Sequence, residues 1–200
     1  MDASIASALE FLRSHLHGHL KFDGERVAVK IVVAPDGALV LPVMEAMLLA
    51  LDTVLELPDD ADEHMQLIVT LERRAESGPW ATLCDRWRAY HGEPEDVRWA
   101  SATIDSGRFN GWFMDEGALS QANPLAADEA ALLRQLNAPP RSTLKALCAA
   151  ARVDCAEPLA VGVDPGGIDI RRLHDVARLP FPSRLERPAQ VRDLLAARSA

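Results

Sequence analysis

The stretch from Arg26 to Val43 most constrains what this chain can fold into. Arg26 to Val33 reads RVAVKIVV, dense in the β-branched residues that suit a pleated strand. Pro35-Asp36-Gly37 then supplies turn residues, and Ala38 to Val43 (ALVLPV) runs back. A strand that reverses within so few residues makes a meander, so the sheet is antiparallel. Upstream, Ile5, Leu9, Leu12 and Leu16 recur at spacings of three and four, which predicts an amphipathic helix over 3–16. Gly18 is its stop, His19 to Phe22 a strand, and Asp23-Gly24 a tight turn. Downstream, MEAMLLALD is a short helix, and Thr53 to Leu57 and Met65 to Glu72 are strands. Trp80 to Tyr90 has helical spacing, Val97 to Ile104 alternates as a strand, and Asn110-Gly111 signals a type I′ hairpin. Roughly six strands with two or three helices fit a small barrel with helical connections.

Residues 117–127 read as a weakly structured loop. A helix starts at Ala127 or Asp128 and runs through Leu136 until Pro139-Pro140 interrupts it. A second helix is expected to begin at the proline and to run through Leu144, Leu147, Cys148 and Ala151. In the tail, LAVGVDPGGIDI from Leu159 reads as strand, turn, strand, with a type II geometry expected at Pro165-Gly166. VARLPFP is a third strand, and RPAQVRDLLAARSA a closing helix that buries Val191, Leu194 and Leu195. The expected fold class is α+β: a split antiparallel β-barrel over residues 1–118, then a small αβ module over 127–200 with a three-stranded antiparallel sheet.

An apolar share of 48% supports a full core, and a net charge of −9 disfavours a nucleic-acid partner, which needs basic patches to neutralise phosphates. It leaves room for a small anionic ligand in a local nest of donors. No apolar run approaches a membrane span, and the acidic N-terminus lacks the basic region of a secretory signal. Cys84, Cys148 and Cys155 form no CxxC pair, which fits buried thiols in a reducing cytoplasm.

The tail motif Gly162-Val163-Asp164-Pro165-Gly166-Gly167-Ile168-Asp169-Ile170-Arg171, with the strand and helix after it, resembles the C-terminal module of bacterial haem-utilisation proteins. These belong to the pyridoxamine-phosphate-oxidase-like split-barrel superfamily. SHLHGHLKFDGERVAVKIVVAPDGALVLPV resembles that family's barrel opening, DRWRAYHGEP its helix end, and SGRFNGWF its closing hairpin. The resemblance implies a homodimer holding flavin mononucleotide (FMN), or in some cases haem, at the subunit interface, with redox or haem-handling activity. It places the flavin phosphate near Arg26 and Lys30, which share a strand face with Ala28. The chain departs from the family at three places. Glu45 stands where many members carry a basic or hydroxyl residue. The His-x-Asn-x-x-His pattern keeps Asn137 alone, with Pro139 and Pro140 after it. Gly111-Trp112-Phe113-Met114 replaces a glycine-rich closing motif. These departures support the alternative, a non-catalytic dimeric interaction or small-ligand-binding protein that has lost the cofactor.

His15, His17 and His19 would share one face of a strand and could ligate zinc or haem iron, but a helix end in the segment would scatter them. No metal site is assigned. Asp59, Asp60, Asp62 and Glu63 lack calcium-loop spacing and read as a solvated loop. Trp80, Trp87, Trp99 and Trp112, with Phe109 and Phe113, either stack on a cofactor or form core and dimer interface. No nucleophile motif is present, so no catalytic residue is assigned.

Overall fold

A computed structural model of the chain describes residues 3–58, 64–95, 98–173 and 175–199. It is α+β and divides into two units, Met1–Arg88 with Gly92–Ala122, and Ala89–His91 with Asn123–Ala200. The acidic residues Asp59, Asp60, Asp62 and Glu63, and Val97 at the expected start of a strand, lie outside the described residues.

The first unit contains α1 (Ala3–Ser14), β1 (His17–Phe22), β2 (Glu25–Lys30), β3 (Val32–Val33), β4 (Leu39–Val43), α2 (Glu45–Leu49), β5 (Thr53–Leu57), β6 (Met65–Arg74), most of α3 (Pro79–His91), β7 (Arg98–Phe109), β8 (Trp112–Asp115) and α4 (Glu116–Leu119). Its antiparallel sheet runs β2-β1-β5-β6-β7-β4-β3. The long β7 pairs with β6 along one edge. On its other edge it pairs with β4 over Arg98–Ala102 and with β8 over Ser106–Phe109.

The expected unbroken strand over 26–33 is split at Ile31. β2 ends one side of the sheet and β3 the other, yet Ile31 alone joins them. In a flat sheet those two strands would lie about 29 Å apart, at ~4.8 Å per strand. A one-residue link reaches about 7 Å between the Cα atoms it joins. The sheet therefore curls until its ends meet, which makes the half-barrel. Ile31 is wholly buried at this seam, and its N–H donates to the Leu16 carbonyl at 2.9 Å. Leu12, Leu20, Leu41, Leu55, Leu67 and Ile104 fill the inside.

Turn chemistry fixes the hairpins. Asp23 and Gly24 (φ 46° and 84°) and Asn110 and Gly111 (φ 49° and 81°) are both left-handed pairs, as a type I′ turn requires. Gly18 answers a different need. A Cβ there would stand 1.9 Å from the Glu56 carbonyl oxygen, so β1 meets β5 too closely for any side chain.

Local chemistry explains several departures from expectation. α1 stops at Ser14, and β1 starts at His17 rather than His19. β7 continues past Ile104 because a bulge at Asp105 absorbs one residue between the Ile68–Ser106 and Val69–Ile104 pairs. The segment read as a weak loop from 117 opens with α4, capped where the Asp115 carboxylate accepts the Ala118 N–H at 3.1 Å.

The second unit contains α5 (Ala126–Leu136), α6 (Ser142–Ala150), β9 (Leu159–Asp164), β10 (Gly167–Arg171), β11 (Val176–Pro180) and α7 (Pro188–Ser199), with the last turn of α3. α6 does not start at the prolines: Arg141 caps it in a left-handed conformation (φ 60°), two residues later than expected for N1 at Pro140. The antiparallel sheet is ordered β11-β10-β9, with Val163 opposite Ile168 across the Pro165-Gly166 turn. That turn is not type II, since Gly166 is outside the left-handed region. The Asp164 carboxylate stabilises it instead, accepting the Gly166 N–H at 2.7 Å. Val191 and Leu195 of α7 are buried in the unit's core, and Leu194 packs against it.

The free edge of β9 is satisfied by side chains. Glu129 accepts the Val163 N–H, Asn123 donates to the Val163 carbonyl, and Asn137 both donates to the Ala160 carbonyl and accepts its N–H, at 2.8–2.9 Å. From β11, Arg178 donates to Asp164 at the end of β9 at 2.7 Å and to Asp169 of β10 at 2.9 Å, with all three side chains nearly sealed from solvent. Tyr90 donates to the other oxygen of Asp169 at 2.8 Å. Gly162 makes room, since a Cβ there would lie 1.7 Å from the Tyr90 hydroxyl. Burial pushes the Asp169 carboxyl up, and the Asp164 charge adds to this against the opposing pull of Arg178 and Tyr90.

Two outcomes follow from these cores. Ile31→Ala should cost about 2–5 kcal/mol, the range for truncating a buried aliphatic residue. All four tryptophans lie in the first unit, so a lowered urea midpoint in tryptophan fluorescence checks it. Arg178→Ala should cost about 3–5 kcal/mol, because it strands two buried carboxylates. A carboxyl whose folded pKa is raised penalises the folded state above that pKa, and the penalty fades as pH falls toward the unfolded value. The deficit of Arg178→Ala against wild type should therefore shrink between pH 7 and pH 4 in circular-dichroism melts.

Candidate ligand-binding face

The curl of the first sheet turns one set of alternating side chains outward. On β2 these are Arg26, Ala28 and Lys30, all exposed. On β1 they are His17, His19 and Lys21, and on β5 Val54 and Glu56. The register sets His17 opposite Lys30, His19 between Ala28 and Glu56, and Lys21 between Arg26 and Val54. The next strands extend the row: Gln66 of β6 is opposite Glu56, Arg108 of β7 opposite Gln66, and Phe113 of β8 opposite Arg108. His64, Gln66, Arg108, Asn110 and Gly111 line a cavity of about 380 Å³ at this end.

Glu56 is the hub of this face. Lys21 donates to it at 2.8 Å, Gln66 donates at 3.0 Å, and Arg26 Nε lies 3.8 Å away. Burial pushes the Glu56 carboxyl up. Hydrogen bonds from Lys21 and Gln66, and the charges of Lys21 and Arg26, outweigh it and leave it below the ordinary range. Arg26 and Lys30 do share a face, four residues and so about 13 Å of strand apart. Arg26 leans on Glu56, and the backbone carbonyl of Lys30 accepts the Trp87 indole N–H at 2.9 Å.

His17 and His19 sit together on β1, whereas His15 lies beyond α1 and donates through Nδ1 to the Phe11 carbonyl at 2.8 Å. Among the described residues, no group of three or more His, Cys, Asp or Glu is positioned to hold a metal. Glu45 pairs with Arg73 and, at 2.6 Å, with Arg98, so the acid at the start of α2 is met by two bases from β6 and β7. Hydrogen bonding from Arg73 leads the forces that hold its carboxyl below the usual range. Trp87 and Trp99 are buried and meet edge to face at 5.6 Å, which makes them core. Trp112 and Phe113 are 62% and 74% exposed. Asn137, the surviving member of the His-x-Asn-x-x-His pattern, is spent on the β9 backbone. Burial, aided by the Glu76 charge, pushes the Cys84 thiol up to about 11.

Arg26, Lys30, His17 and His19 stand out in the sequence, and the strand register sets Glu56, Gln66 and Arg108, which do not, on the same face. The alternation of Val54-Leu55-Glu56-Leu57 showed that Glu56 faces away from the core. Nothing local told which strands would flank it.

No family model and no curated protein matches the chain. Among solved structures, the protein Atu2129 of Agrobacterium tumefaciens str. C58, of unknown function, is similar with a TM-score of 0.76. It is 20% identical, over 97% of this chain and 94% of that one. At that identity the likeness speaks to fold alone. Among the described residues, no helix is long and apolar enough to cross a membrane.

The Glu56 hub has an acid signature. A carboxyl with a depressed folded pKa adds stability above its unfolded value, and that stability is lost as pH falls through the folded one. Glu56→Gln should therefore be less stable than wild type at pH 7 and converge with it as the pH falls below the ordinary carboxylate range. Urea midpoints by tryptophan fluorescence across that range provide the check.

Proposed function

We propose that this protein is a dimeric split-barrel protein that binds an anionic small molecule on the outward face of its first sheet. The observation that carries this is Lys21, Arg26, Lys30, His17 and His19 gathered on two adjacent strands beside Glu56 of a third, in a chain of net charge −9. FMN is the ligand to which the family resemblance points, with haem the second candidate. Its phosphate would take charge-assisted hydrogen bonds from Arg26 or Lys30, and the exposed Trp112 and Phe113 give apolar surface for a second copy of the chain. The role is binding, in the cytoplasm, with any redox chemistry supplied by the ligand.

A second reading is favoured by Glu45. Its carboxylate already occupies Arg73 and Arg98, as an external phosphate would, and Asn137 is committed to the fold. On this reading the chain has lost its cofactor and acts as a dimeric interaction protein.

Titration of the purified protein with FMN, riboflavin and haemin separates these readings. Binding of FMN but not riboflavin, weakened about tenfold or more in Arg26→Ala or Lys30→Ala, supports the first. FMN binding that both variants leave unchanged places the site elsewhere. No binding by wild type, with binding gained in Glu45→Gln, supports the second. Light scattering should give twice the 21.8 kDa chain mass, and a monomer at micromolar concentration removes the dimer from both.

A further inference from the structure

α6 ends in a Schellman motif. Arg152 takes the left-handed conformation (φ 57°), its N–H donates to the Ala149 carbonyl at 3.1 Å, and the Val153 N–H donates to the Cys148 carbonyl at 2.9 Å. The chain is thereby folded back over the last turn of the helix at Cys148. Cys155 follows two residues after Val153, so its Cα lies within about 7 Å of that reversal. Cys148 is 2% exposed inside the unit's core, and Cys155 packs on the same core from outside while remaining partly exposed. Cys155 also forms part of the wall of a cavity of about 760 Å³ with Leu159, Arg171, Arg172 and Asp175. Asp175 holds the Arg172 guanidinium, and Cys155 and Asp154 stand within its electrostatic reach.

We propose that Cys155 and Cys148 form an oxidisable dithiol, with Cys155 the thiol that meets a hydroperoxide at the cavity wall and Cys148 the thiol that resolves it. The Cys155 sulfur, as thiolate, attacks one peroxide oxygen. The O–O bond breaks, and the departing oxygen takes a proton and leaves as water or alcohol. Cys155 is now a sulfenic acid. The Cys148 sulfur attacks the Cys155 sulfur, the S–O bond breaks, and the hydroxide leaves with the Cys148 proton as a second water. Two thiols lose two electrons and the peroxide gains them.

Position assigns the order of events. Cys155 is partly exposed and lines the cavity, whereas Cys148 is enclosed. Burial, with the charge of Cys155, pushes the Cys148 thiol up, so it waits as a thiol. A disulfide needs the two Cα atoms within about 7 Å, and residues 154–158, beyond the hydrogen bonds that close α6, form no helix or strand that would resist the adjustment. Cys84 lies in the other unit, buried and with its thiol pushed up to about 11, and takes no part.

The test is a peptide map of the full chain after brief treatment with hydrogen peroxide and quenching with N-ethylmaleimide. Trypsin cuts after Lys145, Arg152 and Arg171, so the bond would join peptide 146–152 to peptide 153–171. The expected result is that linked pair from the monomer band of a non-reducing gel, with free thiols falling from three to one. In Cys148→Ala, Cys155 should instead accumulate as a dimedone-reactive sulfenic acid. Three free thiols remaining, a 153–171 peptide joined to its own copy, a bond to Cys84, or over-oxidised Cys155 without the linked pair would each overturn the proposal. The wild-type map stands without the variant.

Discussion

The joint at Ile31 sets the geometry of the first unit. Two strands at opposite ends of one sheet are consecutive in the chain, with a single residue between them. Hydrogen bonding alone would accept a flat sheet; covalent length does not. Once the ends are drawn together, an inside and an outside exist. The inside takes Leu20, Leu55 and Leu67. The outside presents the alternate residues of the same strands, and so collects Lys21, Arg26, Lys30 and Glu56. The candidate site is thus a by-product of closure: Lys21, Lys30 and Glu56 each alternate with residues that the barrel interior buries. Gly18 shows how tightly the two demands mesh, since β1 passes the Glu56 carbonyl with no room for a methyl group.

The second unit solves a different problem with different means. Its three-stranded sheet is open, so strand pairing leaves β9 and β11 as edges. Asn123, Glu129 and Asn137 complete the hydrogen bonding of β9, and a buried arginine between two aspartates links the β9–β10 turn to β11. Such ionic centres cost desolvation, and they hold the fold together mainly by making alternatives worse. The single tyrosine of the chain is part of that arrangement, and a glycine on β9 exists to admit it.

Much of this was legible in the sequence because it is local. Asp23-Gly24 and Asn110-Gly111 announced their hairpins through residues that tolerate left-handed backbone. The tail strands and Val191, Leu194 and Leu195 followed from alternation and helical spacing. Local signals failed where a distant partner decides. RVAVKIVV has nothing at Ile31 to mark a break, because the break comes from which strands flank it. Pro140 reads as a helix start until Arg141 is seen to take the cap. The site shows the same division: alternation put Arg26 and Lys30 on one face, whereas their engagement with Glu56 depends on a strand order no spacing encodes. Asn137 offered a third lesson. Its motif pointed to chemistry, and its hydrogen bonds point to the backbone of β9.

The stitched edge of β9 has a consequence for how this protein behaves in a crowded cell. An open strand edge is an invitation to any extended peptide, including another copy emerging from a ribosome. Here the N–H and carbonyl of Val163 and of Ala160 are already taken by side chains, and an incoming strand would displace them only by leaving the buried Asn123 amide and the buried Glu129 carboxyl unmatched. Growth of the small sheet by strand addition on that side is blocked, and the three side chains act as gatekeepers against aggregation as much as struts within the fold.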